Sequence, residues 1–366
     1  MTSTRTKKAL SDWFSNEVIS EIIQAIPDRA DVSAVCKTSK LFHSLGIPVL
    51  FQVVKLKNGS RIMAFVRTVS AKPDVSGFVR SLTTIDIGSI KSSRLQWLAC
   101  LKSLTKLEDL SMTYFQFTPE DWDIFLSFTF PRLVHCKLDA SYNERSKKSP
   151  MDFVARHSAL ESLSLNVWDP PKGPAPPQIP LLNLRRLQGP ASLAQRITAP
   201  RLGEVRLEWE SVHFEDVEPI FSTLKTMIPA DNSFVFSNDG CWDNRLHDFL
   251  PCIANNVPHV KTLHLHLIDT DMWNSDTHIE WVAEQLPPLS KLEYLSIVMR
   301  GDEDDDHPYF LADEEDDLMA VETLGTACSS LQMCRLNDVV WRKENETWNQ
   351  SSDDFDRLAG ISWIER

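Results

Sequence analysis

Apolar residues recur along this chain in one fixed pattern. In Ala159 to Val167, ALESLSLNV, they fall at Leu160, Leu163 and Leu165, with polar residues between. The same apolar-x-x-apolar-x-apolar spacing returns at Leu82, Ile85, Ile87; Leu107, Leu110, Met112; Leu133, Cys136, Leu138; Leu202, Val205, Leu207; Val260, Leu263, Leu265; Leu292, Leu295, Ile297; and Leu331, Cys334, Leu336. Leu184 and Leu187 match in part, with Gly189 where the third apolar residue belongs. The first positions stand 25, 26, 27, 24, 18, 58, 32 and 39 residues apart, and the longest interval has room for one more unit, whose strand we place at Phe234 to Phe236. The last two apolar positions of each match alternate with period two, as a half-buried strand does. Between matches, SSRLQWLACLKSL, PEDWDIFLSF, PMDFVARH, NRLHDFLPCIANNV and HIEWVAEQL carry apolar residues three and four apart and are predicted to be helices. Thr118 before Pro119, Glu120 and Asp121 is a helix start.

One strand and one helix cannot hide their apolar sides alone; stacked copies can. A period in this range with this spelling is the leucine-rich-repeat signature. The expected fold class is α/β: a short N-terminal three-helix segment followed by an irregular leucine-rich-repeat solenoid, with parallel strands on the concave face and helices on the convex face. An ordinary alternating strand–helix sheet is the competing architecture, and it predicts no shared spelling from strand to strand. Two segments interrupt the repeat. Residues 169–180, DPPKGPAPPQIP, hold six prolines and are expected to form an extended loop. Gly301 to Asp317 holds ten acids and no Lys or Arg, so residues 301–312 are expected to be a solvated loop, with the later acids able to open a helix. The expected boundaries are a disordered 1–11, a helical domain 12–57, the repeat region 58–345 and a C-terminal cap 346–366.

From Phe14 the chain reads FSNEVISEIIQAIPDRADVSAVCKTSKLFHSLGIPVLFQVVKL. Ile19, Ile22, Ile23 and Ile26 mark one face of a helix that Ser15 caps and Pro27 ends. A second helix is predicted near Asp31 to Cys36 and a third near Ser39 to Leu45, stopping before Pro48, with a strand at QVVKL. So small a core needs a neighbour or a partner to cover it. Phe14-Ser15-Asn16-Glu17-Val18, Ile22-Ile23, Val35-Cys36-Lys37 and Pro48-Val49-Leu50-Phe51 together resemble the F-box motif over Trp13 to Lys57, with Phe and Ser where the motif has Leu-Pro. An F-box followed by leucine-rich repeats is a family architecture. The resemblance implies a substrate-recognition subunit of an SCF-type cullin ubiquitin ligase, joined through a Skp-type adaptor to the cullin scaffold. By the family pattern the adaptor-binding residues are Phe14, Val18, Ile22, Val35, Leu50 and Phe51. The alternatives are a helical cap on the first repeat, and a repeat scaffold that binds a protein but no ligase adaptor.

Composition narrows the partners. A net charge of −13 opposes phosphate-tracking, so no nucleic acid is expected. No apolar run spans a membrane, and the polar N-terminus is no secretion signal, so the expected location is cytoplasmic or nuclear. The seven scattered cysteines then act as reduced core residues. Trp97, Trp122 and Trp281 are placed in the core. No P-loop, dinucleotide fingerprint, G-x-S-x-G or H-E-x-x-H is present; neither an enzyme nor a cofactor is expected. Leu263-His264-Leu265-His266-Leu267 puts two histidines on one face of a strand, either as polar-face residues or, with a third group, as metal ligands. The polar positions between core residues remain as the target-binding candidates: Asp109, Ser111, His135, Lys137, Ser164, Arg206, His264, His266 and Tyr294. Such a face suits an unknown target protein, or is simply solvated.

Overall fold

The computed structural model describes residues 14–85, 93–114, 117–139, 149–166, 178–209, 217–229, 233–242, 246–268, 275–300, 314–336 and 339–361. The chain divides into two compact units, Met1–His157 and Ser158–Arg366. The architecture is mixed α/β with mostly parallel strands, consistent with a repeat solenoid.

The first unit begins with three helices, α1 (Asn16–Gln24), α2 (Arg29–Cys36) and α3 (Lys40–Gln52). Each starts on a side-chain cap: Ser15 accepts from Val18 N, Asp28 from Ala30 N and Ser39 from Phe42 N. Ile19, Ile23, Val32 and Cys36 form a buried cluster, with Ile26, Val35, Leu41, Phe42, Leu45, Val49 and Leu50 packed around it. At Gly46 any Cβ would strike Cys36 Sγ, so glycine sets how closely α3 approaches α2. The third helix does not stop before Pro48; it runs on to Gln52. Proline forfeits one backbone bond, but Val49 and Leu50 pack on the cluster and hold the last turn in place.

The rest of the unit alternates β1 (Val53–Leu56), α4 (Gly59–Ala71), β2 (Ser81–Ile85), α5 (Arg94–Lys102), β3 (Asp109–Thr113), α6 (Pro119–Phe125), β4 (His135–Asp139) and α7 (Pro150–Ala155). The strands lie side by side in chain order, all parallel. Thr118 caps α6 in a capping box with Asp121, as its sequence predicts, and Ser149 with Asp152 does the same for α7. One repeat is out of phase with expectation. Leu82 pairs with Leu110 and Thr84 with Met112. The first unit of the template is therefore Val79, Leu82, Thr84, three residues earlier than Leu82, Ile85, Ile87. Val79, Leu82 and Thr84 are sealed from solvent while Ile85 is exposed; Ile87 lies outside the described residues.

The second unit runs β5 (Ser162–Asn166), β6 (Ile179–Pro180), β7 (Arg186–Pro190), β8 (Ile197–Thr198), β9 (Glu204–Glu208), α8 (Val217–Met227), β10 (Phe234–Trp242), α9 (Leu246–Asn256), β11 (Val260–Ile268), α10 (Ser275–Gln285), β12 (Tyr294–Arg300), α11 (Glu314–Ala327), β13 (Met333–Leu336), β14 (Val339–Glu344), β15 (Thr347–Gln350) and α12 (Phe355–Leu358). The ladder order is β5-β7-β9-β10-β11-β12-β13-β14-β15, parallel as far as β13, while β6 and β8 pair separately. The extra strand predicted at Phe234 is β10. Leu163, Leu187, Val205, Phe236, Leu263, Leu295 and Cys334 stand opposite one another strand by strand and form one buried row. Helices cover this row; Phe221 of α8 meets Phe236 at 5.3 Å between ring centroids. β14 and β15 form an antiparallel hairpin that the repeat pattern does not announce. Its turn, Asn345-Glu346, has positive φ at both residues (50° and 66°), the conformation that suits a two-residue hairpin.

Of the predicted loop at 169–180, residues 169–177 lie outside the described residues, and Ile179–Pro180 is a strand rather than loop. The predicted loop at 301–312 also lies outside them, and α11 begins at Glu314 within the acidic run. Trp97 and Trp122 are fully buried; Trp281 is only half-buried.

Candidate functional site

Two surfaces carry the residues singled out above. The first is α1. Phe14 precedes the N-cap Ser15, and Val18 and Ile22 follow one turn apart on one side of the helix. They expose 45%, 39% and 54% of their area, whereas Ile19 and Ile23 on the adjoining side are buried in the three-helix cluster. Val35 and Leu50 are partly buried against that same cluster, and Phe51 is half-buried at the end of α3.

The second surface is the polar face of the strands, opposite the buried row. In the first unit Asp109, Ser111, Lys137 and Asp139 are half-buried and His135 is exposed. Ser81 Oγ donates to Asp109 Oδ2 at 3.0 Å, and Arg80 pairs with Glu108 at the strand starts. In the second unit Ser164 is half-buried. Arg186 Nε lies 3.2 Å from Glu204 Oε2, and Gln188 donates to Glu208 at 3.3 Å.

Strands β9 to β13 then build a denser array. Asp239 on β10 takes hydrogen bonds from both Arg206 on β9 and His266 on β11. The ring centroids of His264 and His266 are 6.4 Å apart. Arg335 on β13 donates Nη2 to His264 Nδ1 at 3.2 Å, Nε to Ser296 Oγ at 2.9 Å and Nη1 to Asp356 Oδ1 at 2.9 Å. Burial alone would push the Asp239 carboxyl up, but the hydrogen bond from His266 and the Arg206 guanidinium outweigh it and hold the group well below the usual carboxylate range. Burial, reinforced by the neighbouring Arg335 charge, depresses His264 to about 3, so it is neutral at physiological pH. An ionised Asp239 makes His266 Nδ1 the donor. Among the described residues no group of three or more His, Cys, Asp or Glu is placed to hold a metal ion, and His266 is tied to a carboxylate and not to a third ligand. Arg206 and His266 thus share Asp239, and His264 shares Arg335 with Ser296 and Asp356, in two adjoining sets of hydrogen bonds.

Tyr294 and His264 are half-buried. The C-terminal segment packs on Tyr294 and Arg335: Phe355 meets Tyr294 edge-on at 6.4 Å and lies beneath the Arg335 guanidinium at 4.8 Å. Phe355, Ala359, Ile361 and Met333 form a buried cluster against Val235, Tyr294 and Val340. The spelling DDFDRLAGI held a signal for it, a capped turn with Phe355, Ala359 and Ile361 on one side, but nothing in it says where the turn docks. A cleft of about 510 Å³ also opens near the starts of β11 and β12 and beside the hairpin turn. Its Lys261 and Lys343 are paired with Glu293 and Glu346 at 3.0 and 2.8 Å.

No helix among the described residues is long and apolar enough to cross a membrane. No family model and no curated protein matches the chain. Among solved structures it is similar to a crystal structure of a Rad7 and Elc1 complex in yeast, with 15% identity over 88% of this chain and 76% of that one and a TM-score of 0.43. It is also similar to a crystal structure of a protein from Bacteroides fragilis, with 11% identity over 86% of this chain and 70% of that one and a TM-score of 0.33.

Proposed function

We propose that this chain is a non-catalytic substrate receptor of an SCF-type cullin ubiquitin ligase: α1 offers its apolar side to a Skp-type adaptor, and the polar strand face holds the target. The observation that carries the reading is Phe14, just before the α1 cap, with Val18 and Ile22 on α1: three large apolar side chains left in water beside a helix side that is fully packed. It coincides with the residues that resemble the opening and first helix of the F-box. Exposed rows of this kind mark contact sites.

The test is binding of the purified full chain to a Skp-type adaptor, with Ile22→Asp as the variant. Burying the exposed half of Ile22 contributes on the order of 1 kcal/mol. An unpaired carboxylate at the same contact costs several more, so the variant weakens binding by about 100-fold or beyond. Its thermal stability stays within about 0.5 kcal/mol of the parent, because the position faces solvent. A parent chain that does not bind, or a variant that binds equally well, removes the ligase assignment.

A further inference from the structure

We infer that the polar face of the second unit between β10 and β14 is a peptide-binding surface, occupied in this structure by the chain's own C-terminal segment. Its outside ligand is a segment of a partner protein carrying an aromatic residue followed directly by a carboxylate within one helical turn. The inference rests on the reading of this face as the target surface, and not on the adaptor contact.

The face mixes polar residues with Val235, Tyr294 and Met333, and its centre is closed to water. Thr262 and Ser296 are completely buried although they lie opposite the helix-covered side of the sheet; Ala359 sits on Thr262, Phe355, Ala359 and Ile361 pack on Val235, Tyr294 and Met333, and Arg335 bonds to Ser296. The segment adds no strand to the ladder. It is one capped turn, with Asp354 at its N-terminus and Gly360 at φ +74° after its C-terminus. A helix of four residues has no stability of its own, so the surface beneath it supplies the order. Its bonds are those of a bound ligand: an aromatic ring under a guanidinium, the Asp356 carboxylate on Arg335 Nη1, and the Ala359 carbonyl accepting from Thr262 Oγ1 at 2.7 Å.

The receptor side does not depend on the segment for its geometry. Arg335 remains fixed by Ser296 and His264 through Nε and Nη2 when Nη1 loses Asp356. Departure of the segment would leave a pre-positioned guanidinium, the Tyr294 ring and the Thr262 hydroxyl side by side. Together they complement an aromatic ring, a carboxylate and a backbone carbonyl. The link holding the segment nearby is short: Ser351 N–H bonds to Val340 O at 2.8 Å, and Arg342 pairs with Asp353 at 2.8 Å on the exposed rim. An exposed pair of that kind contributes about 1 kcal/mol or less.

Two measurements on the full chain, made without adaptor, test this. In native hydrogen exchange the amides of Leu358, Ala359 and Ile361 open locally and exchange about 100-fold faster than those of β12. In the second, a labelled peptide of residues 351–361 is added to the parent and to the Phe355→Ala/Asp356→Ala double variant, whose own segment competes poorly. The peptide binds the variant about tenfold more tightly than the parent, and peptides with the same two replacements do not compete. Exchange of the segment only together with β12, or a labelled peptide that binds neither chain or both equally, overturns the inference and makes the segment a fixed layer of the fold. A peptide that binds as expected while the adaptor does not separates this surface from the ligase reading.

Discussion

Gly189 stands at the template position that most other units fill with Leu, Met or Ile, and replacing it with alanine tests how the repeat closes. Its φ is +147°, a backbone conformation that L side chains rarely adopt. A Cβ there would drive into the Leu165 carbonyl oxygen, with Leu165 C at 3.3 Å and Leu193 Cδ2 at 3.1 Å. The obstacle is backbone, so no rotamer relieves it. The ladder between β5 and β7 ends at Ser164–Gln188, one residue before Gly189, and relief requires the two strands to part where Leu163 and Leu187 are buried together. A non-glycine residue in such a region costs about 1–3 kcal/mol, and overpacking of a closed core adds about 1–3 more. Gly189→Ala is therefore expected to destabilise the chain by about 2–6 kcal/mol. Gly77 provides the control, since a Cβ there meets nothing within 4 Å and its φ is ordinary; Gly77→Ala changes stability by less than about 1 kcal/mol. Urea unfolding followed by circular dichroism, compared through the midpoint at constant slope, reads both. Equal midpoints for Gly189→Ala and Gly77→Ala would refute the steric account.

Acid titration and thiol labelling probe the second unit and the core separately. His264 takes a proton near its ordinary 6.5 in the unfolded chain but only near about 3 in the folded one, so stability falls as pH drops below 6.5, by about 2 kcal/mol at pH 5. Asp239 is depressed instead, so its contribution is whole above about pH 4 and is lost only below it. Between pH 7 and 5 His157, which burial also holds below its ordinary value, adds to the fall, so a His264→Gln chain is expected to lose only part of the parent's slope, and one that keeps all of it contradicts the assignment. None of the six described cysteines is in a disulfide; Cys252 is half-exposed, while burial pushes Cys100 and Cys136 up to about 12 and Cys334 higher than its ordinary value. Iodoacetamide is expected to label Cys252 first and those three only on unfolding; mass spectrometry showing Cys136 labelled at the rate of Cys252 rules this out.

What the sequence made legible follows from which interactions are local. The buried row across β5 to β13 was readable because each strand must present its own leucines to its own helix, so the requirement is written again in every unit. The phase of the first repeat was not, because Thr84 fills an apolar slot. Its β-branched side chain suits a strand, and it is buried although its hydroxyl has no partner among the described residues. A search for hydrophobic residues passes over it and settles three positions downstream. Pro48 misled in the opposite direction: the local rule ends a helix there, but packing of Val49 and Leu50 on the cluster of α1 and α2 carries α3 onward. The polar face shows the deeper limit. Alternation correctly set Arg206, His264, His266 and Tyr294 on one side of the strands, yet side and accessibility are different properties. Whether a polar-face residue meets solvent depends on contacts such as Arg335 to Asp356, 21 residues apart, and Thr262 to Ala359, 97 residues apart. No periodicity encodes those. The open part of the face is therefore fixed less by the repeats that build it than by a single turn at the far end of the chain.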